Sequence, residues 1–279
     1  MAYATYFHDG VSRVGELDGS DLIPLMGVSE LGIETSIETL VCAERDESSR
    51  VATRDVTFRP VVPNPSKVFC VGLNYRDHII ETKRDVPTYP VLFPKFASSL
   101  IGPYDDIVLP PEPTQPDYEG ELAVVIGRGG RRIAEADAMH HVLGYTVAND
   151  VSMRDFMYKT HQWMQGKAWD ASTPLGPCLV TPDEIDLQSS GIRTIINGEK
   201  LQESDLSQLL FTVTNLIATI SVFVALTPGD LILTGTPGGV GNRRNPPRFL
   251  TDGDQVSVEI DGIGSLNNVV RASSQATPS

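Results

Sequence analysis

Residues 117–126, with the sequence DYEGELAVVI, place two glutamates at the entrance of a strongly apolar run. The run predicts a buried strand. Successive side chains of a strand point to opposite faces, so Glu119 and Glu121 share one face. Two like charges side by side repel each other. A divalent cation would offset this repulsion, and oxygen ligands suit Mg²⁺ or Mn²⁺. The same spacing is also typical of the solvated face of an edge strand.

Apolar runs similar to this one recur along the chain from residue 67 onward, separated by turns that contain Gly, Pro or Asp. The runs are KVFCVGLNY, ELAVVIG, GYTVAND, RTIINGE, DLILTGT and QVSVEID. One long helix is predicted over residues 205–226, because large aliphatic residues recur there at three- and four-residue steps. The sequence TPGD at residues 227–230 ends it. The pattern predicts a mixed, β-rich α+β fold.

The first part of the chain has a different pattern, which predicts a small N-terminal α+β domain over residues 1–62. Its His-Asp-Gly and Leu-Asp-Gly turns between β-prone runs predict antiparallel hairpins. Residues 29–50 are predicted to be helical, and residues 51–67 to form a strand and a linker. Residues 63–279 would then form the second, larger domain. The last residues, SSQATPS, are expected to form a frayed tail.

The composition excludes some classes of protein. The net charge of −14 argues against a non-specific nucleic-acid-binding protein, which needs clustered Lys and Arg. The three cysteines are widely separated and odd in number, so no disulfide framework is predicted. The start, MAYATYFHDG, lacks a secretory pattern, and the longest apolar stretch is too short to span a membrane. A cytoplasmic protein without a membrane segment is expected.

Other polar residues extend the carboxylate pair to a candidate site. Asp150 ends the run GYTVAND, where a strand meets its loop, and would supply a third carboxylate. His78 and Glu81 are three residues apart, so on a helix they would be neighbours, and the carboxylate would orient the imidazole for proton transfer. A surface His–Glu pair without a function has the same spacing. Lys167 stands in QGKAWD between glycine and aromatic residues, where a partly buried cation would face an oxyanion; an exposed lysine is the alternative.

A strand followed by a glycine-rich loop occupies residues 231–241, LILTGTPGGVG. Backbone amides of the loop, such as that of Gly235, and the Thr236 hydroxyl would hold a carboxylate. The loop has neither the Gly-Lys-Ser/Thr ending of a phosphate loop nor the dinucleotide fingerprint. Its glycines would equally serve a tight turn that needs positive φ. The nearby Arg243, Arg244 and Arg248 would contact a distal carboxylate of the substrate or remain solvated.

Taken in their order along the chain, the motifs between about residue 67 and residue 271 resemble those of the fumarylacetoacetate hydrolase family. The motifs that carry the resemblance are VGLNYRDHIIE, DYEGELAVVIG, GYTVANDVSMRD, QGKAWD to TPLGP, TPGDLILTGTPGGVG and PPRFLTDGDQVSVEIDGIG. The resemblance implies the family's β-roll catalytic domain and a homodimer. The chain departs from the family pattern at residues 93–96, FPKF, where many members have Lys-Pro after an apolar pair. The resemblance therefore assigns no role to Lys95.

The resemblance also implies roles for the candidate residues. The metal ligands would be Glu119, Glu121 and Asp150, which bind one Mg²⁺ or Mn²⁺ ion per subunit. The catalytic residues would be His78 and Glu81, which activate water on a lid, and Lys167, which stabilises negative charge. Thr236, Gly235 and Arg154 would bind the substrate, a small 2-oxo acid or diacid.

Family membership leaves several reactions open. The expected one is hydrolysis of the C–C bond of an acylpyruvate, such as fumarylpyruvate, to pyruvate and a carboxylic acid. Decarboxylation or tautomerisation of oxaloacetate, or isomerisation of a 2-hydroxy-dienedioate, is the alternative on the same metal site. A non-catalytic binding protein would not need His78 and Glu81.

Overall fold

The computed structural model describes residues 1–273 of the chain. Its strands are β1 (Ala2–His8), β2 (Val11–Asp18), β3 (Asp21–Pro24), β4 (Val51–Ala52), β5 (Thr57–Phe58), β6 (Val68–Gly72), β7 (Val91–Lys95), β8 (Leu100–Ile101), β9 (Ile107–Leu109), β10 (Pro116–Asp117), β11 (Gly120–Ile126), β12 (Val142–Asn149), β13 (Ser152–Met153), β14 (Thr173–Val180), β15 (Gly191–Ile196), β16 (Glu199–Asp205), β17 (Leu231–Leu233), β18 (Gln255–Ile260) and β19 (Gly264–Ala272). Its helices are α1 (Ile37–Cys42), α2 (Arg76–Thr82), α3 (Arg154–Met157), α4 (Met164–Lys167) and α5 (Val213–Phe223). Short 3₁₀ turns lie at Glu47–Ser49, Thr53–Asp55, Ala97–Ser99, Glu135–His141, Leu206–Gln208 and Gly241–Arg243.

The strands form one large mixed sheet and a smaller one. The large sheet has the order β4-β3-β2-β1-β14-β12-β11-β17-β6-β7, with β5 paired to β1 and β8 to β14. The smaller sheet has the order β16-β15-β18-β19-β9, and β10 pairs with β13. The expected β-rich α+β fold with few helices is confirmed.

Strand β11 lies at the centre of the large sheet and is buried on both faces. Leu122 and Val124 pack with Val258 of the smaller sheet, whereas Ala123 and Val125 pack on the opposite face. A strand covered on both sides needs apolar residues at every position. This explains why residues 122–126 are uninterrupted in their hydrophobicity and why the carboxylates stand only at the head of the strand.

The predicted N-terminal hairpins are confirmed, since β1 pairs with β2 and β2 pairs with β3. Strand β1 also pairs with β14, so the first 62 residues share the large sheet with the rest of the chain. The boundary between two domains at residue 62 stays a prediction. Of the expected C-terminal tail, only Ser273 belongs to the described residues.

Two helix predictions were wrong in extent. Within residues 29–50 the α-helix is confined to α1: Thr35 accepts the Gly32 N–H and donates to the Glu30 carbonyl in the preceding loop, and Ser36 caps the helix by accepting the Thr39 N–H. The predicted helix over residues 205–226 begins only at Val213, where the Thr212 hydroxyl accepts the Asn215 N–H. The residues before it complete β16 and a 3₁₀ turn, because strand pairing outweighs the helical spacing of their leucines.

Candidate active site

The pairing of β11 with β12 brings three carboxylates together. Gly120 is opposite Asn149, so Glu119 before β11 lies beside Asp150 after β12, and the Asp150 N–H donates to the Glu119 carbonyl at 2.8 Å. Ligand atoms of Glu119, Glu121 and Asp150 all lie within 4.8 Å of one another, and all three side chains are buried. A buried group of three carboxylates with this spacing could hold a divalent metal ion. The solvated edge strand, the alternative for Glu119 and Glu121, is excluded by their burial.

Gly120 is the residue that allows two glutamates to stand at one strand head. Gly120 lies on the face of the strand that packs against the smaller sheet. A Cβ atom at this position would overlap the side chains of Thr194 and Val258. A larger residue would push the sheets apart, and the carboxylates on the other face would move with the strand. The spacing Glu-Gly-Glu therefore serves both the packing of the sheets and the convergence of the carboxylates.

Three buried cations surround the carboxylates. Lys167 Nζ lies 2.5 Å from Glu119 Oε2 and 2.6 Å from Asp150 Oδ2. Lys95 Nζ lies 2.8 Å from Asp150 Oδ1. Arg154 contacts the other oxygen of Glu119 at 2.6 Å. The alternative of an exposed Lys167 is excluded, since the residue is 1% exposed.

The pKa values of Glu119 and Glu121 are shifted in opposite directions. Burial by itself would raise the pKa of Glu119, but the charges of Lys167 and Arg154 outweigh it and lower the pKa to about 2. Burial and the charges of Asp150 and Glu119 raise the pKa of Glu121 well above its usual range. Within residues 1–273 Glu121 has no ion-pair partner, and its Oε2 accepts the Gly235 N–H at 2.8 Å. Glu121 is therefore the carboxylate that most lacks a positive neighbour.

Asp117 connects the site to the loop after β17. Its carboxylate is completely buried and accepts the Arg154 Nε–H at 2.8 Å, the Gly241 N–H at 2.7 Å and the Asn242 N–H at 3.0 Å. Arg154 is thereby held in the orientation that contacts Glu119. Counting Asp117, four buried carboxylates face three buried cations, which leaves one formal negative charge in the cluster. A divalent cation would change that charge to positive, and an anionic substrate could then bind.

The predicted histidine–glutamate pair lies on helix α2. His78 Nδ1 is 3.3 Å from Glu81 Oε2, and the residue is buried. The Gly239 N–H lies 3.1 Å from Glu81 Oε1 and 3.2 Å from Oε2, which attaches the helix to the glycine-rich loop. This attachment fixes the carboxylate beside the imidazole, and the catalytic role of the pair stays a prediction.

One cleft is lined by most of the predicted residues. It is lined by His78, Glu119, Glu121, Arg154, Lys167 and Thr236, together with residues of β6 and the aromatic side chains near α4. Asp150 and Glu81 do not line the cleft, but each contacts a residue that does: Asp150 contacts Lys167, and Glu81 contacts His78. The free space in the cleft is about 30 Å³.

The two residues expected to bind the substrate carboxylate have backbone partners. Thr236 Oγ1 donates to the Gly120 carbonyl at 2.9 Å and accepts from the Gln202 amide at 2.9 Å. Gly235 has φ of +101°, which favours glycine, and it donates its N–H to Glu121. Both residues therefore fix the loop to the carboxylate strand. Direct contact of either with a substrate stays a prediction.

The three loop arginines lie outside the lining of the cleft. Arg248 pairs with Asp254 at 2.7 Å, Arg244 donates to the Leu201 carbonyl at 3.2 Å, and Arg243 is exposed. These contacts favour a structural role for Arg244 and Arg248 over contact with a distal carboxylate of the substrate.

Sequence reasoning missed two residues of the cluster, Lys95 and Asp117. A signal for Lys95 was present, because residue 95 follows Phe93 by two in β7 and so shares its buried face. Asp117 gave no signal of its own, since its partners come from residues 154, 241 and 242, far along the chain.

A cleft in which buried carboxylates, a lysine and a histidine converge is the usual form of a binding or catalytic site. The family model for the C-terminal domain of fumarylacetoacetate (FAA) hydrolase matches residues 67–271. The chain therefore belongs to the fumarylacetoacetate hydrolase family, as the resemblance indicated.

The relatives give more detail. A mitochondrial oxaloacetate tautomerase of Xenopus laevis is 46% identical over 244 residues, which cover 86% of this chain and 76% of the relative. A human mitochondrial oxaloacetate tautomerase is 50% identical over 219 residues, covering 77% of this chain and 70% of the relative. The solved structure of a 2-hydroxyhepta-2,4-diene-1,7-dioate isomerase from Mycobacterium marinum is 32% identical with a TM-score of 0.83, and the match covers 99% of this chain and 100% of that one.

The expected cytoplasmic location was wrong in the light of these relatives, which are named as mitochondrial proteins. A missing secretory pattern does not distinguish the cytoplasm from an organelle, so it could not support that expectation. Among the helices of residues 1–273, none is long and apolar enough to cross a membrane.

Proposed function

We propose that this chain is a metal-dependent tautomerase that interconverts the enol and keto forms of oxaloacetate. The observation that carries the proposal is that His78 lines the same cleft as Glu119 and Glu121, two of the three clustered carboxylates, in a chain whose relatives at 46–50% identity are named oxaloacetate tautomerases. The acylpyruvate hydrolase expected from the sequence has less support than this alternative.

The carboxylates of Glu119, Glu121 and Asp150 fit a divalent cation, because they are buried oxygen donors and Glu121 lacks a positive partner. Their oxygen-only set suits Mg²⁺ or Mn²⁺, at one ion per subunit of the expected homodimer. When bound, such an ion withdraws electron density from a 2-oxo group and favours loss of the neighbouring proton.

The residues of the chain would carry out the proton transfer. His78, oriented by Glu81, would remove a proton from C3 of the substrate or return it, at a ring nitrogen that faces the cleft. Lys167 and Arg154 would stabilise the negative charge that develops on the 2-oxo oxygen and hold the C1 carboxylate. No water is consumed, since tautomerisation moves a proton between carbon and oxygen.

Isomerisation of a 2-hydroxy-dienedioate is a second candidate. It is supported by the structural similarity to the Mycobacterium marinum isomerase. The chemistry is related, because a proton again leaves one position of a 2-oxo or enol acid and returns at another. The two candidates differ in the length of the substrate's carbon chain, and the relatives at 46–50% identity favour the shorter, four-carbon acid.

The proposal is tested by giving purified protein with Mg²⁺ the enol form of oxaloacetate and, in parallel, fumarylpyruvate. We expect fast loss of the enol absorbance of oxaloacetate, abolished by a chelator, without release of carbon dioxide. Formation of pyruvate and fumarate from the second substrate, with oxaloacetate untouched, would instead establish the hydrolase.

A further inference from the structure

The cleft is separated from a larger cavity by a wall of four side chains. The outer cavity has a volume of about 620 Å³, against about 30 Å³ for the cleft. Arg84, Phe93, Tyr158 and Trp163 line both spaces. A substrate held at the carboxylates and longer than the cleft would therefore have to pass these side chains.

Trp163 is the part of this wall that is held most firmly. Its indole ring lies directly against Gly72 of β6, where a Cβ atom would overlap the ring. The ring of Phe93 meets it edge-on at 5.7 Å between centroids, and the Arg84 guanidinium lies 5.4 Å from its centroid on one face. Three neighbours thus fix the ring in position, with dispersion and cation–π contributions.

The ring is also fixed relative to the charged cluster. Trp163 immediately precedes helix α4, and its carbonyl accepts the Gly166 N–H at 2.8 Å. The last residue of α4 is Lys167, whose ammonium group contacts Glu119 and Asp150. One turn of helix therefore separates the residue that carries the indole ring from the lysine that contacts the carboxylates.

The outer cavity has the chemistry of an anion site. Arg84, Lys159 and His161 contribute to its lining, along with the polar Thr160 and Gln162. No carboxylate belongs to this lining within residues 1–273. In an acidic protein, such a space favours the anionic end of a bound molecule over a neutral one.

We propose that Trp163 is the specificity-determining residue that restricts the cleft to short 2-oxo acids, and that the outer cavity would receive the terminal carboxylate of a longer 2-oxo diacid if the ring were removed. The inference rests on the proposed function for the position of the 2-oxo acid head. It adds the length limit and the residue that sets it.

Calorimetric titration of the Mg²⁺-loaded protein tests the inference without relying on turnover. Oxalate is the short probe, because its adjacent carboxylates resemble the head of a 2-oxo acid, and 2-oxopimelate is the long one. We expect the native protein to bind oxalate and to bind 2-oxopimelate weakly. In Trp163→Ala the ratio of the two dissociation constants should shift toward 2-oxopimelate by about tenfold or more, with a smaller shift for 2-oxoheptanoate, which lacks the terminal carboxylate.

Trp169→Ala is the matched control. Trp169 lies on the same segment and packs on Phe156 at 5.0 Å, but it lines neither space. It should keep the native preference for length. Trp163→Leu, which retains an apolar side chain, provides a second variant with an intermediate shift if the alanine variant is unstable.

The possible outcomes distinguish a failure of the length limit at Trp163 from a failure of the proposed tautomerase function. A folded Trp163→Ala or Trp163→Leu protein with the native length preference would overturn the inference, whether or not the protein is a tautomerase. Tight binding of 2-oxopimelate by the native protein would overturn it as well. A native protein that binds the short probe but does not act on oxaloacetate would contradict only the proposed function, and one that binds neither probe would overturn both.

Discussion

The ammonium nitrogen of Lys167 lies 2.5 Å from a carboxylate oxygen of Glu119, and both side chains are buried. A divalent cation on Glu119 would have Lys167 as a near positive neighbour, so the two repel each other. Replacing Lys167 by methionine should therefore increase the rise in melting temperature that Mn²⁺ produces. Turnover of oxaloacetate should fall about 100-fold, since a stabilising charge is lost. Thermal melts with and without Mn²⁺, and enol absorbance, provide the two readouts.

Lys200→Met is the control for this change, because Lys200 forms an exposed pair with Glu203 and does not line the cleft. It should leave both readouts near their native values. A smaller rise in melting temperature with Mn²⁺ in Lys167→Met would mean that Lys167 favours binding of the cation. Repulsion between the two would then be excluded.

Glu121 should be essential for metal binding but not for folding. Its pKa is raised by burial and by Asp150 and Glu119, so the substitution Glu121→Gln removes an unfavourable charge, while the oxygen of the new amide can still accept the Gly235 N–H. In a chelator, the free energy of unfolding of Glu121→Gln should equal or exceed that of the native chain. At a Mg²⁺ concentration 100-fold above the native dissociation constant, the native chain should gain about 2.7 kcal/mol and the variant almost nothing. Denaturant titrations measure both quantities.

Exposed Glu112 offers a control for that experiment, since Glu112→Gln changes the same net charge away from the cleft. Metal stabilisation that survived in Glu121→Gln would show that Glu121 is not a ligand.

His78→Gln should separate catalysis from metal binding. Loss of the imidazole removes the group proposed to move the proton, so turnover of oxaloacetate should fall about 100-fold or more. Metal stabilisation should persist because His78 is not among the three clustered carboxylates. Glu81→Gln should have a smaller effect, since an amide can still accept from Gly239. Turnover close to native in His78→Gln would exclude the proposed role.

Asp254 links stability to pH outside the active site. Burial would raise its pKa, but hydrogen bonds from Arg248, Thr251 and Asn197 outweigh this and lower it. A lowered folded-state pKa means that the stabilisation is present above the unfolded pKa, about 3.9, and is lost as pH falls through the folded value. The free energy of unfolding of Asp254→Asn should therefore be lower than that of the native protein at neutral pH. The difference between the two proteins should become smaller below pH about 4. Identical acid profiles of the native and variant proteins would contradict this.

Local patterns were sufficient to predict much of the fold and the acidic part of the site. The run after Glu121 is apolar because β11 is covered on both faces, and the period of two correctly placed Glu119 and Glu121 on one side. The contact of His78 with Glu81 was predictable because the two residues are three apart in sequence, and it needs only a single helical turn.

Features that depend on distant pairing were not predictable in this way. The ion pair of Lys95 with Asp150 exists only because β7 pairs with β6 at the edge of the large sheet. The leucines near residue 206 have helical spacing, but β16 pairs with β15 and ends only at residue 205. The contacts of Trp163 with Arg84 and Phe93 in the wall likewise join three separate segments.

The most direct test of the central claim is proton NMR of oxaloacetate in D₂O with the Mg²⁺-loaded protein. A tautomerase removes and returns a proton at C3, so we predict deuterium at one of the two C3 positions before carbon dioxide or other products accumulate. The exchange should vanish with a chelator and in His78→Gln. Release of carbon dioxide and pyruvate, cleavage to oxalate and acetate, or no exchange above the rate of free Mg²⁺ would contradict the account.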